Sequence, residues 1–325
     1  MRYTRGIASA AAVAAAIAAV GCGSTSSSSG GNGGSGGSGG ELGVVLIAAN
    51  DAANQAMLSG AKTQAKAKGW KVSVVDANGS ADQANSAVQN FVTRKVSGIL
   101  IAAFPTTSLR SGLLAAKAAK IPVATWGGGV APGVTVANAA TGYLATPIAD
   151  KIVQDLGGKG EVLALTYHTG MICRVREQAF DKVMAANPGI KVTKQEVSIP
   201  GFVQSGEKLT TGWIAGKPST EKLAVWGCWD GPTVGAVSAL KQAGRTDVTT
   251  YGQNGQPDAL NLIKKGTFTA TNWEDSVAEG TQLASALQDA AAGKGQSGQI
   301  LQVPGVVVDK SNVAAFLQKH PTAIG

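Results

Sequence analysis

The chain of 325 residues is long enough for about two domains, and its 44% hydrophobic and 15% charged content excludes a disordered polypeptide. The formal net charge is +8 at pH 7, but Lys and Arg form no block, which argues against a nucleic-acid-binding protein. Two His and three Cys lie scattered without the spacing of metal ligands, so we expect no metal site and no cofactor.

Residues 1–21 are predicted to be an export signal peptide. Arg2 and Arg5 give a positive start, and residues 7–20 form an Ala-rich apolar run that is shorter than the roughly 20 residues of a membrane span. Removal of this segment lowers the net charge from +8 to +6. We therefore expect the rest of the chain to work outside the cytoplasm.

The end of this segment resembles the lipobox of bacterial lipoproteins in the sequence AVGC, which ends at Cys22. The resemblance implies that Cys22 is diacylated and becomes the first residue of the mature protein. An ordinary signal peptide followed by an incidental Cys is the alternative. Residues 22–41, rich in Gly and Ser, then form a flexible tether between the lipidated Cys and a folded part.

Strands and helices are predicted to alternate from residue 43 onward. Short apolar runs typical of buried parallel strands alternate with helical periodicity. In the first half the predicted strands are 43–49, 71–77, 98–104, 121–126 and 133–138, and the predicted helices are 53–68, 81–95 and 109–119. This alternation indicates βαβ units on a parallel sheet.

The same pattern restarts after residue 140. The predicted helices are 143–156, 173–186, 207–215, 232–243, 258–265 and 277–292, and the predicted strands are 161–167, 191–197, 223–228, 248–253 and 268–273. The fold class is therefore α/β, with two Rossmann-like lobes whose parallel sheets are flanked by helices. Two lobes of similar layout suggest a cleft between them.

Polar and aromatic residues collect at the predicted carboxyl ends of the strands, where open parallel sheets bind ligands. These strand-end residues are Asn50, Asp51, Phe104, Trp126, His168, Trp229, Asp230, Asn254, Trp273 and Glu274. The stretch WGCWDG shows the contrast, because Trp226 lies inside a strand and is expected in the core, whereas Trp229 follows the strand. Asp230 could line the site or cap the helix that is predicted to begin at Pro232.

Several segments together resemble the substrate-binding proteins of ABC transporters, in the ribose-binding-like group of type I sugar-binding proteins. The resemblance covers residues 43 to about 315 and is carried by GVVLIAANDAANQAMLSGAKTQAKAKGW, FVTRKVSGILIAAFPTTSL, AKAAKIPVATW, CRVREQAFDKVMAANPGIKV, WDGPTVGAVSALKQAG and TYGQNGQPDALNLIKKGTFTATNW. It implies a periplasmic binding protein type I fold, in which two lobes close on a ligand about a three-segment hinge.

The resemblance also implies where the lobes divide. The three crossings would fall near residues 138–141, 274–276 and 301–304. The N-lobe would then comprise residues 42–139 plus 276–302, and the C-lobe residues 140–275 plus 303–325.

Carried over position by position, the resemblance implies a ligand-binding set. It comprises Asn50, Asp51, Asn54, Trp126, Arg174, Trp229, Asp230, Asn254 and Glu274. Arg174 takes the place of the family's ligand arginine, although a surface pair with Glu177 is the alternative. His168, Phe104 and Trp273 join the set as strand-end residues, and a purely structural role for His168 stays open.

Two departures from the family pattern disfavour an ordinary aldose. Glycines occupy positions 127–129, where sugar binders of this group often carry Asp-Arg, and the first loop lacks a pair of aromatic residues. Trp126, Trp229 and Trp273 could supply stacking faces for a sugar, a planar ring or an organic cation. A polyol, a modified sugar and a zwitterion remain open as ligands.

Cys173 and Cys228 follow two strands that the implied fold makes neighbours. We expect a disulfide across these strand ends, because exported proteins permit oxidation. A catalytic Cys–His pair with His168 is the competing idea, but no oxyanion donors can be located in the sequence.

The sequence thus predicts an exported solute-binding protein, not an enzyme. It would be a monomer anchored by lipid to the outer face of the cytoplasmic membrane, and it would deliver a small polar ligand to an ABC permease. The alternatives are a lipid-anchored sensor that presents its ligand to a membrane receptor, a binder of amines or zwitterions, and an exported hydrolase. No G-x-S-x-G motif supports the hydrolase.

Overall fold

The computed structural model describes residues 39–139, 141–295 and 298–324. The predicted signal peptide, Cys22 and most of the predicted tether lie outside these residues. Within them the chain forms twelve strands: β1 (Glu41–Leu46), β2 (Lys71–Asp76), β3 (Gly98–Ala102), β4 (Val123–Trp126), β5 (Val136–Asn138), β6 (Gly160–Thr166), β7 (Ile190–Glu196), β8 (Leu223–Gly227), β9 (Thr249–Asn254), β10 (Ala270–Glu274), β11 (Gln299–Leu301) and β12 (Gly305–Asp309).

Ten α-helices connect and flank these strands. They are α1 (Ala52–Ala67), α2 (Ala81–Thr93), α3 (Arg110–Ala118), α4 (Ala145–Leu156), α5 (Met171–Ala185), α6 (Phe202–Ile214), α7 (Asp230–Gln242), α8 (Pro257–Lys265), α9 (Ser276–Ala291) and α10 (Val313–Lys319). Three short 3₁₀ turns cover Thr106–Leu109, Thr141–Leu144 and Pro321–Ile324. None of the described helices is both long enough and apolar enough to cross a membrane.

The strands form two six-stranded sheets. The first has the order β11-β5-β4-β3-β1-β2 and is parallel throughout, and the second has the order β12-β10-β9-β8-β6-β7. In the second sheet β12 runs antiparallel to β10 and the other pairs are parallel. We call the first sheet with its flanking helices the N-lobe and the second the C-lobe; the two-lobed α/β fold class is confirmed.

Burial follows position in the sheets. The central strands β3, β4 and β8 are buried at every residue, as continuous apolar runs of parallel strands should be. The edge strands β2 and β7 carry partly exposed residues and several Lys or Glu side chains. Trp226 in β8 is fully buried and stacks on Phe180 at a centroid distance of 4.3 Å, which confirms its predicted core position.

The chain passes between the two sheets at three places. It leaves the first sheet after β5, returns between β10 and α9, and leaves again between β11 and β12. Helix α9 packs along α1 and against β3, β4 and β5, so it belongs to the N-lobe although it follows the C-lobe strands.

Some predicted boundaries were wrong. Helix α6 begins at Phe202, five residues before the predicted start, directly after Gly201 with its positive φ of 89°. The predicted helix from Tyr143 begins as a 3₁₀ turn and becomes α-helical at Ala145. Strands β11 and β12 and helix α10 were not predicted from the sequence. The three residues of β11 are too few to show a period and are held by pairing with β5.

Candidate functional site

A cavity of about 460 Å³, counted to its open mouth, lies where the carboxyl ends of the two sheets face each other. Small-molecule sites are mostly apolar with a few placed polar groups. The lining residues are Ile47, Ala48, Asp51, Ala53, Asn54, Ala103, Trp126, Tyr167, Gly170, Ile172, Cys173, Arg176, Ile199, Trp229 and Asn254. Both lobes contribute to this wall, since the residues follow strands of both sheets.

Two tryptophans form aromatic walls, one from each lobe. Trp126 ends β4 of the N-lobe, and its indole Nε1 donates to Glu279. Trp229 follows β8 of the C-lobe and packs beside Phe202 and Tyr167, at centroid distances of 5.5 and 6.1 Å. Both predicted residues line the cavity, and large aromatic faces there suit the C–H-rich face of a polyhydroxylated ligand.

The first N-lobe loop supplies Asp51 and Asn54. Asp51 Oδ1 accepts from the backbone N and the side-chain Nδ2 of Asn54, both at 3.0 Å, and so caps α1. Asp51 Oδ2 accepts from Gln256 Nε2 at 2.7 Å. Asn54 is buried, with only 5% of its surface exposed, yet its Oδ1 has no hydrogen-bond partner among the described residues. Asn54 therefore keeps one free acceptor at the cavity.

Arg176 is the buried arginine of the site, in the place expected for Arg174. It is 1% exposed and donates to Thr141 Oγ1, to Cys228 O at 2.9 Å, to Asn254 Oδ1 at 3.1 Å and to Glu274 Oε1 at 2.5 Å. Arg174 lies on the outer side of α5, and its Nε donates to the carbonyl oxygen of His168. The placement of Arg174 in the cavity is corrected, because the buried face of α5 carries Cys173, Arg176 and Phe180 at helical spacing.

Asn254 ends β9 with a left-handed backbone, at φ 90°. Such a φ is uncommon for a residue other than Gly and is found at functional sites. Its Oδ1 accepts from Arg176, whereas within the described part of the chain its Nδ2 has no partner. Asn254 therefore offers a free donor from the C-lobe, opposite in kind to the free acceptor of Asn54.

Asp230 lies beneath the cavity and outside its lining. It is fully buried, with Oδ2 accepting from Gln256 N and Oδ1 from Thr271 Oγ1, both at 2.7 Å. Burial raises the pKa of Asp230 to about 8, and these two hydrogen bonds oppose the rise. It does not cap α7 either, since it lies inside the helix; its carboxyl instead holds the loop after β9 in place.

Five further predicted residues also lie outside the cavity lining. Phe104 is fully buried in the core, and Asn50 is exposed on the first loop. His168 lies between Glu177 and Glu196, at 2.9 and 3.1 Å. Trp273 packs against Phe316 and His320 on the other side of its strand. Glu274 is buried with Arg176.

The expected disulfide between Cys173 and Cys228 is present, with the two Cα atoms 5.2 Å apart. It joins the first turn of α5 to the segment after β8. Arg176 donates to the carbonyl oxygen of Cys228, so the same two elements are tied twice beside the cavity. Neither sulfur is a free thiol, so neither cysteine can act as the nucleophile of the Cys–His catalytic pair considered from the sequence.

The glycine run after β4 leaves room for the opposite lobe. A Cβ on Gly127, whose φ is 68°, would lie 2.2 Å from Ile172 Cγ1 of the C-lobe. The backbone N of Gly127 donates to Asn138 Oδ1 at 2.5 Å. A side chain at this position would keep the lobes apart. Because glycines stand where the family often has Asp-Arg, Ile172 can approach the N-lobe more closely.

The two lobes contact each other directly around the cavity. Met171 N donates to Ala103 O at 2.9 Å, and Gln256 Nε2 donates to Asp51 across the cleft. The cleft is thus closed by bonds that belong to the protein itself. In the described ranges no group of three or more His, Cys, Asp or Glu side chains is placed to hold a metal ion.

The comparisons with known proteins agree with this geometry. The periplasmic binding protein domain family matches residues 42–295. The xylitol-binding protein of Mycolicibacterium smegmatis is 28% identical over 68% of this chain and 63% of that protein, so the match spans less than two thirds of that relative. The ribose import binding protein RbsB of Salmonella typhimurium is 25% identical over 71% of this chain and 77% of its own length.

A solved structure shows the same fold. The ABC transporter solute-binding protein of Agrobacterium vitis with bound allitol superposes with a TM-score of 0.78, at 23% identity, over 86% of this chain and 98% of that chain. Proteins of this family act outside the cytoplasm, bind small sugar ligands without enzymatic turnover and work with an ABC permease. The chain belongs to the periplasmic binding protein family.

Proposed function

We propose that this chain captures a neutral polyhydroxylated ligand, a sugar, polyol or sugar derivative, in the cavity between its lobes and delivers it to an ABC importer. The observation that carries the proposal is a pair of buried polar atoms on two residues of the cavity wall, neither of which has a hydrogen-bond partner among the described residues. Asn54 Oδ1 accepts and Asn254 Nδ2 donates, and a hydroxyl group can do both.

The orientation of these two amides is set by their charged neighbours. Asn54 must turn its NH₂ toward the carboxylate of Asp51, and Asn254 must turn its oxygen toward the guanidinium of Arg176. The atoms left for a ligand are therefore one oxygen and one NH₂. Trp126 and Trp229 add faces on which a carbon skeleton can pack.

A charged ligand fits less well. Both oxygens of Asp51 are engaged within the protein, and the Glu274 carboxylate is paired with Arg176. Arg176 in turn makes five hydrogen bonds to protein atoms. Amines, anions and zwitterions would need a charged partner that the wall does not offer, and an unpaired buried charge is costly.

The remaining sequence predictions stay part of this proposal. They are the signal peptide of residues 1–21, lipidation of Cys22, the tether, the lobe boundaries, the monomeric state and anchoring at the outer face of the cytoplasmic membrane. A lipid-anchored capture protein on a tether would keep its ligand near the permease.

Thermal unfolding against a compound panel tests the proposal. The panel contains pentoses, hexoses, polyols, amino sugars, amines and amino acids. A ligand at 100 times its Kd stabilises the folded state by about 2.7 kcal/mol, so we expect the Tm to rise by several degrees with one class of neutral polyhydroxylated compound. The same shift with an amine or amino acid alone would contradict the proposal.

Variants then place the site. Trp229→Ala and Asn54→Ala should abolish the Tm shift, because they remove a stacking wall and the free acceptor. Arg174→Ala is the matched control, since Arg174 lies outside the cavity lining and should leave the shift intact. Loss of the shift in Arg174→Ala with retention in Trp229→Ala would mean that the ligand binds elsewhere.

A further inference from the structure

Glu279 is a buried carboxyl that holds the N-lobe wall of the cavity. It lies in the first turn of α9, is 6% exposed, and its Oε2 accepts from Trp126 Nε1 and, at 2.6 Å, from Asn138 Nδ2. Trp126 forms the cavity wall, and Asn138 is the last residue of β5 before the chain crosses to the other lobe. One carboxyl oxygen therefore joins the ligand wall to a crossing segment.

The other oxygen of this carboxyl is left without a partner. Within the residues that the structure describes, Glu279 Oε1 has no hydrogen-bond partner and is shielded from solvent. An ionised carboxylate in this place would carry charge at an oxygen that no described cation or hydrogen-bond donor contacts. A buried ionised group without compensation costs several kcal/mol, so the site favours the neutral acid.

The charged surroundings act in the same direction. Glu274 of β10 is near enough for its charge to raise the pKa of Glu279, and Arg176 of α5, the nearby cation, is already paired with Glu274 at 2.5 Å. Burial raises the pKa of Glu279 to about 8 and the charge of Glu274 adds to the rise, whereas Trp126, Arg176 and Asn138 oppose it.

The other elements against α9 bring no counter-charge. Strands β3, β4 and β5 carry no titratable side chain, and Lys62 and Lys66 of α1 are exposed. Tyr143, in the 3₁₀ turn after the first crossing, has its pKa raised chiefly by burial and further by Glu274 and Glu279. On α9 itself the other acids are the capping Asp275 and the exposed Asp289.

We propose that Glu279 is a positioning residue that couples closure of the cleft to the uptake of a proton. The neutral acid fixes Trp126 and Asn138 in the arrangement of the closed cavity. Opening the hinge brings water toward the back of Trp126 and lets the carboxyl ionise. The inference rests on the proposed function only in that the cleft opens and closes around the cavity.

The sign of the pH dependence follows from linkage. A group that holds its proton more tightly in the closed state favours closure fully at pH values below its open-state pKa. As the pH rises from there through about 8, the open state releases the proton first and the closed fraction falls. Closure should thus weaken toward alkaline pH.

An indole NMR titration of the full chain, with no ligand added, tests the first half. The chain is labelled with ¹⁵N-tryptophan, the Trp126 resonance is assigned by its loss in Trp126→Phe, and spectra are recorded from pH 5 to 10. We expect the Trp126 Nε1–H signal to shift with a midpoint near pH 8 in the wild type. In Glu279→Gln, whose oxygen can accept both hydrogen bonds, the signal should stay at its low-pH position.

Small-angle X-ray scattering over the same pH range tests the coupling. The radius of gyration of the wild type should increase as the pH rises from the open-state pKa toward about 8, and that of Glu279→Gln should stay constant. Asp289→Asn, an exposed change on the same helix, is the matched control and should behave as the wild type. A Trp126 signal that does not titrate above pH 6, or a radius independent of pH, would overturn the proposal. Since no ligand is used, failure of the sugar or polyol assignment would leave both measurements unaffected.

Discussion

Arg176 shapes the cavity by holding other residues in place. Its guanidinium joins Thr141 after the first crossing, Glu274 before the second, the carbonyl oxygen of Cys228 and the side chain of Asn254. These partners belong to four separate segments. The planar fork of an arginine suits such a junction, since its donors are fixed in direction.

Replacing Arg176 should therefore damage the fold more than the surface arginine two residues earlier. Arg176→Ala leaves the Glu274 carboxylate buried without its cation, and removal of one partner of a buried pair typically costs about 3–5 kcal/mol. Arg174→Ala should change the free energy of unfolding by less than about 0.5 kcal/mol, as surface changes usually do. Urea denaturation measures the free energy of unfolding of both variants. An equal loss of this free energy in the two variants would refute the role of Arg176 as the buried junction.

The sequence could place several site residues, because strand ends follow from periodicity. Asp51, Trp126, Trp229 and Asn254 were found in this way. Arg176 was missed, although its spacing of three from Cys173 and four from Phe180 put it on the buried face of α5. Trp273 was misplaced, because which side of a strand end a residue faces depends on the pairing partners of that strand.

At the scale of elements, α1 and α9 approach each other closely through glycines. A Cβ on Gly60 would lie 1.9 Å from Val277 O, and one on Gly280 would lie 1.9 Å from Met57 O. The helices are also joined by Gln64 Nε2 donating to Gln288 Oε1 at 2.9 Å. This contact fixes α9, and with it Glu279, against the N-lobe.

Gly280→Ala should destabilise the protein, since the added carbon meets backbone that cannot move without separating the helices. Overpacking typically costs about 1–3 kcal/mol. Gly212→Ala is the matched control: it lies in the exposed part of α6 with no atom near the new carbon, and should stabilise by about 0.5–1 kcal/mol. Thermal unfolding checks both, and a neutral Gly280→Ala would show that the helices can separate freely.

Elements were predictable where their patterns are local and long. The buried strands and amphipathic helices follow from apolar runs and period. The strands β11 and β12 and the 3₁₀ turn Thr141–Leu144 were not predicted, because they are held by contacts with the distant elements β5, β10 and α5. Element boundaries at Gly201 and Asp230 also depended on tertiary contacts.

At the scale of the whole molecule, the lobes are held together by a few direct bonds. Asp51 Oδ2 and Gln256 Nε2 meet across the cleft at 2.7 Å, and both residues are buried. Asp51 thus works as a cap of α1 and as a latch between lobes. Both oxygens of Asp51 are already engaged by Asn54 and Gln256, so we propose that Asp51 acts on the ligand mainly by holding Asn54 and the closed cleft in place.

Gln256→Ala should speed ligand release without altering the cavity lining. Loss of one hydrogen bond of about 0.5–1.5 kcal/mol from the closed state predicts dissociation faster by about twofold to tenfold. Stopped-flow measurement with the strongest compound of the panel checks this. Gln242→Ala removes an exposed bond to Glu207 within the C-lobe and should leave the rate unchanged; equal rates in both variants would exclude the latch.

The order of the strands has a consequence for how the molecule is completed as the chain is synthesised. Strands β6 to β10 form one unbroken stretch of chain, and Cys173 and Cys228 both lie inside it. The first sheet must wait for its edge strand β11, and α1 must wait for α9 to cover its glycine face. Contacts between distant segments form late, because their loops must close first. The second sheet likewise lacks its edge strand β12 until the end of the chain. Both sheets are therefore completed by the last segments of the chain, after the stretch that carries the disulfide has been made.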